Sequence, residues 1–210
     1  MLTGFLGYFS PLLNSLDFGN YVRITDLAVD EDGKLWITNY VQNKISSPSV
    51  HALNSDGTWE GYVFSDISGA SFPLKIIVDK NKQKWVLLYE KYGGGILLFN
   101  EDNSERRLLK AVFEQGMLPS NNVQCIVEDK RGEIWIGTTN GIAVFDLPDL
   151  MFDEDVENTD ANTPIFEGRP LLEDELVTCI AVDDGNRKWI GTSRGLWLLD
   201  ESGTEVIYNF

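Results

Sequence analysis

Four aspartates, Asp30, Asp79, Asp129 and Asp183, each stand six residues ahead of a tryptophan: Trp36, Trp85, Trp135 and Trp189. A carboxylate so placed can ligate a hard cation, share protons with a second carboxylate, or accept hydrogen bonds from a turn backbone. Around Asp30 the run Asp-Glu-Asp-Gly matches a fragment of a calcium loop, but the later oxygen ligands and bidentate Glu do not follow. Four copies in one place fit a side chain closing its turn onto backbone N–H groups. The indoles are able to stack on sugar faces, yet identical placement in every copy points to packing between sheets. Trp59 and Trp197 fall outside that placement and are the better surface candidates.

A second set of carboxylates, Asp149, Asp153, Glu154, Asp155, Glu157 and Asp160, crowds a stretch from 147 to 172. Asp153 and Asp155 are its weak candidates for a calcium ion. A solvated acidic loop is the commoner state of such a run. With little apolar periodicity to bury, it is expected to be mobile and metal-free. His51 is the sole histidine, which excludes a His-based triad or a zinc site built on several histidines. Any two loop acids could converge for glycosidase or lyase chemistry, although no spacing nominates a pair. Cys125 and Cys179 hold the same slot of successive copies, and equivalent positions in neighbouring units usually lie too far apart for a disulfide. Both are expected to be buried free thiols.

The elements that must carry these residues recur about every 50 residues, a period that marks a repeat architecture. The unit is clearest as Val123-Gln-Cys-Ile-Val-Glu-Asp-Lys-Arg-Gly-Glu-Ile-Trp135-Ile-Gly-Thr-Thr-Asn-Gly141-Ile-Ala-Val-Phe-Asp146. Short apolar runs, Val123 to Val127, Ile134 to Thr138 and Ile142 to Phe145, are separated by turn residues. They are apolar on both alternating faces, which suits strands between two neighbouring sheets. Asn140-Gly141 reads as a type I′ hairpin. A fourth strand follows in most units, as Thr58 to Val63 or Thr204 to Tyr208. The first copy lengthens the loop before Val50, while the second lacks the turn glycine and carries Gly93-Gly-Gly. High glycine density and the lack of a 3.6-residue period exclude helical repeats.

The expected fold is therefore all-β, a β-propeller of about four blades with four antiparallel strands each. Blades are placed at 22–70, 71–115, 120–172 and 173–210. Residues 1–21 are read as a separate N-terminal segment that could lend a strand to a neighbouring blade.

A net charge of −16 and a pI of about 4.3 repel phosphate backbones, so nucleic acid is a poor partner. No apolar run approaches the ~18 residues that would cross a bilayer, and the N-terminus lacks the basic start of a signal peptide.

The sentence Val-x-x-Ile-x-x-Asp-x-x-Gly-x-Ile-Trp-Ile-Gly-Thr-x-x-Gly-Ile resembles the two-component regulator propeller repeat, across Arg23 to Asp200. More narrowly, Asn20 to Asp26, Leu118 to Val123 and Ala181 to Thr192 are similar to the propeller portion of PorZ-type components of type IX secretion. The resemblance implies an extracytoplasmic setting, periplasm or outer-membrane surface, and a ring of more than four blades, so that this stretch is a fragment of a larger propeller. The sequence is read as a non-catalytic segment that binds a protein partner or a glycan through its loop face, with no cofactor and no membrane insertion. The alternatives are the ligand-sensing propeller of a hybrid two-component regulator, and a propeller-fold polysaccharide lyase or glycosidase. An open arc of blades would expose apolar faces at its ends, so self-association through those ends, or burial of one end by residues 1–21, is also expected; the rival is a closed four-bladed disc.

Overall fold

A computed structural model describes residues 22–41, 46–100, 102–156 and 159–210. The expectation for residues 1–21 and the carboxylate of Glu157 lie outside the described residues.

The chain is an all-β propeller. Sheet one runs β1 (Ile24–Val29), β2 (Leu35–Asn39), β3 (Val50–Leu53), β4 (Trp59–Tyr62), and sheet two β5 (Pro73–Val78), β6 (Lys84–Leu88), β7 (Ile96–Phe99), β8 (Arg106–Leu109). Sheet three has three strands, β9 (Val123–Glu128), β10 (Ile134–Thr138) and β11 (Gly141–Phe145). A small hairpin, β12 (Ile165–Phe166) and β13 (Arg169–Pro170), precedes sheet four: β14 (Val177–Val182), β15 (Lys188–Thr192), β16 (Leu196–Leu199) and β17 (Val206–Asn209). All neighbouring strands within a sheet pair antiparallel.

Register explains the recurring sentence. Trp36 lies opposite Ala28 and Ala52, and Trp135 opposite Val127 and Val144, so each indole caps the middle of a three-strand row. Gly137 faces Cys125, and a Cβ there would fall 2.5 Å from its sulfur; the glycine of Trp-Ile-Gly-Thr is the space the thiol occupies. Between the first two strands the turn needs a left-handed residue. Gly33 and Gly132 supply it at φ 77° and 89°, but Lys82 and Asn186 adopt it at 58° and 59°, so the turn survives loss of its glycine.

Sheets stack face to face, β5 on β1, β9 on β5, β14 on β9. The trailing face of each carries its Trp into the next sheet. Trp36 packs with Ile76, Val86, Leu97 and Phe99; Trp85 with Ile134, Ile136 and Phe145; Trp135 with Val177, Ile190 and Leu199. These three indoles are 2%, 0% and 1% exposed. Trp189 has no following sheet and is only half-buried. Among the described residues the sheets form an open arc, with no contact of comparable extent joining the fourth sheet to the first. Leu27 and Val29 on β1 stay 56% and 66% exposed. Cys125 is buried as expected; Cys179 is exposed instead, because the face it occupies is the uncovered one.

Two further expectations are corrected. Asn140 does not have a positive φ; only Gly141 does, at 102°, so the β10–β11 connection is not type I′. Thr138 Oγ1 accepts the Asn140 N–H, which holds the chain in the alternative turn. Nor is the acidic stretch a solvated loop. Met151 and Ala161 join the core around Trp85, and Leu171 and Leu172 that around Trp135. Asn162 exchanges backbone hydrogen bonds with Val144 on the outer edge of β11, where the other sheets have a fourth strand. Scattered apolar residues, hidden by the charge count, anchor the segment.

Candidate functional site

The four aspartates are built into their turns. Asp30 Oδ1 accepts from the N–H groups of Asp32 and Lys34, while Oδ2 takes the Trp36 Nε1–H at 2.9 Å. Asp79 holds Asn81, Gln83 and Trp85 in the same way, the last at 2.8 Å, and Asp183 holds Gly185, Arg187 and Trp189. One oxygen fixes the turn and the other fixes the indole. Burial raises the Asp79 pKa despite these bonds. The half-buried Asp183 is lowered to about 2: desolvation opposes, but Arg187 and Trp189 outweigh it.

The third copy departs from this pattern. Asp129 closes its turn onto Arg131 and Glu133, but its Oδ2 faces the next sheet. There it meets Lys188 Nζ at 2.8 Å, both side chains fully buried, and Asn186 Nδ2 at 3.0 Å. Trp135 turns its Nε1–H to Glu133. Lys188 also sits 4.9 Å above the Trp135 ring, and Lys84 likewise lies 4.5 Å above Trp36. The residue before each Trp thus seals the preceding sheet's indole, as lysine in sheets two and four. Burial works against ionised Asp129, yet Lys188 and Asn186 bring its pKa below the ordinary value.

The remaining candidates are dispersed. Asp153 Oδ1 accepts from the Asp155 N–H, and Asp160 caps the N–H groups of Glu114 and Gly116. Among the described residues no three His, Cys, Asp or Glu side chains converge as metal ligands. His51 is fully buried in β3, opposite Ile37, and burial, partly offset by the Pro48 backbone, lowers its pKa.

The two ends of the propeller differ in what they display. The Asp turns occupy one end. The other carries the connections from second to third strands and from sheet to sheet, because Ile24 pairs with Asn39 and Pro73 with Leu88. On this loop face an aromatic cluster lies over sheets one and two. Phe72 and Tyr92 stack at 3.6 Å, Tyr40 meets Phe72 edge-on at 5.0 Å, and Tyr89 meets Tyr92 at 5.8 Å. Arg23 sits 4.7 Å above Tyr40 and Lys91 5.6 Å above Tyr92. The hydrogen bond with Tyr92 and burial raise the Tyr40 pKa. Backbone bonds from Val41 to Ser71 and from Tyr89 to Phe72 fix the three loops together.

These aromatics were missed in the sequence. The available signal was that Tyr89-Glu-Lys-Tyr92-Gly stands where the third copy needs only Thr139-Asn140.

The two-component regulator propeller model matches residues 117–140. No curated protein sequence matches the chain significantly. Among solved structures, PorZ of Porphyromonas gingivalis, an essential bacterial surface component of the type IX secretion system, is similar at TM-score 0.72. It is 25% identical over 90% of this chain and 27% of that one. The extracellular domain of the hybrid two-component system BT3049 from B. thetaiotaomicron reaches 0.60 at 22% identity, covering 91% of this chain and 22% of its own. Virginiamycin B lyase from Staphylococcus aureus also reaches 0.60, at 15% identity, covering 90% and 55%. The chain therefore spans about a quarter of the first two proteins and about half of the third.

Proposed function

We propose that this chain is a non-catalytic recognition segment that holds a protein partner or a glycan across its loop face. Its place is extracytoplasmic, within a surface component similar to PorZ. The observation that supports it is the aromatic cluster of Tyr40, Phe72, Tyr89 and Tyr92. The connections that carry Tyr40 and Tyr89–Tyr92 are longer than the matching second-to-third-strand connections of sheets three and four. Phe72, Tyr89 and Tyr92 are partly exposed over the buried Tyr40 and, with Arg23 and Lys91 beside them, offer flat stacking surface and hydroxyl donors, which suit sugar rings or extended peptide.

Against catalysis, the one histidine is sealed in β3 and the aspartates of the repeat are spent on turns and indoles. No helix of the described residues is long and apolar enough to cross a membrane. The uncovered faces of sheets one and four are the surfaces through which further blades or a second copy would dock.

Calorimetric titration against a panel of bacterial surface polysaccharides, with each mixture then checked for new reducing ends or unsaturated sugars, tests the reading. Saturable heat without any product is expected. Multiple turnovers on any member of the panel would make the chain an enzyme and end this proposal.

A further inference from the structure

Where sheet three lacks its fourth strand, a second surface opens. The hairpin β12–β13 and the segment 171–175 enclose a cleft of about 540 Å³ against sheet four, with Trp197 at its wall. Register puts Trp197 opposite Ile190, the position held by His51, Leu97 and Ala143 in the other sheets. Those three are wholly buried, whereas Trp197 keeps part of its ring open to the cleft. An indole larger than its neighbours' side chains, standing in the one gap without an outer strand, has a face to spare.

The rim is acidic. Glu167, Glu173, Asp174 and Glu175 line the cleft beside the guanidinium of Arg169. Glu175 Oε1 takes Arg194 at 2.7 Å, so two guanidiniums stand against four carboxylates and the rim stays net acidic. Carboxylates around an aromatic face repel anions and attract cations, which the ring quadrupole also binds.

We propose that this cleft binds an arginine- or lysine-bearing segment of a partner protein. The cation lies over Trp197 and donates to the rim carboxylates. The site is separate from the aromatic cluster over sheets one and two, so either can fail without the other.

Titration with a hexa-arginine peptide, beside hexa-glutamate and a neutral glucose hexasaccharide, tests the site. Three variants decide it. Trp197→Leu places there the residue that sheet two already accommodates as Leu97, and melting confirms that the fold is kept. Glu173→Gln with Asp174→Asn removes rim charge, and Asn tolerates the left-handed φ of 63° at that position. Asp153→Asn with Asp155→Asn removes equal charge elsewhere. One hexa-arginine per chain is expected, weakened about tenfold or more by Trp197→Leu and about fivefold by the rim pair, on the scale of a desolvated cation–π contact. The control pair should change it less than about twofold. Equal losses in rim and control variants would reduce the binding to overall charge and overturn the proposal. So would unchanged binding in Trp197→Leu, or sugar binding that this variant abolishes.

Discussion

Trp135→Ala is expected to cost about 3–5 kcal/mol of folding free energy, the usual toll of truncating a buried aromatic. The ring is 1% exposed and lies in the core joining sheets three and four. The next sheet is shaped around it: a Cβ on Gly203 would come within 2.1 Å of the ring edge, and Gly203 has a φ of 73°. No side chain from sheet four can move in to refill the hole without disturbing that turn. For a chain of this size the melting temperature should fall by roughly 6–20 °C. Trp189→Ala, on the uncovered face, should lose clearly less. A Trp135→Ala protein melting like wild type would show that the indole is not a packing element.

Breaking the Asp129–Lys188 pair should be nearly as damaging. Lys188→Met leaves the buried Asp129 carboxylate facing an apolar side chain, and removal of one partner of a buried pair costs about 3–5 kcal/mol. Combining Lys188→Met with Asp129→Asn should restore much of that loss, since the amide keeps its turn hydrogen bonds without the stranded charge. The sign of the pH dependence follows from the lowered pKa of Asp129. The folded state holds this carboxylate ionised more firmly than the unfolded chain does. Its contribution is complete above the unfolded pKa of about 3.9 and drains away as pH falls towards the lower folded value. Asp79, raised chiefly by burial, has the opposite sign and gains from acid. Acid melting curves of Asp129→Asn should therefore show a smaller stability loss below about pH 4 than wild type, the other carboxylates of lowered pKa being common to both. Parallel curves for the two would refute the coupling.

Much of the architecture was legible because the repeat states it four times. Residues that face both ways in each copy had to be strands between sheets, as β9, β10 and β11 are. What the repeat does not state was lost. The segment after Phe145 looked like charge in solution, since Met151, Ala161, Leu171 and Leu172 are too widely spaced to give any period. Their burial depends on cores supplied by other strands. Lys188 carries no signal of its own in the sequence; only stacking on the preceding sheet reveals its contact with Asp129. The aromatic cluster draws on three loops far apart in sequence, joined by backbone bonds between them.

Hydrogen exchange on the chain, free and saturated with whichever glycan or protein binds it, most directly tests the reading of the loop face. Slowed exchange should fall on Tyr40–Val41, Ser71–Phe72 and Tyr89–Gly93, with the Asp turns at the opposite end unchanged. Protection confined to those turns, or to the uncovered faces of sheets one and four, would contradict it.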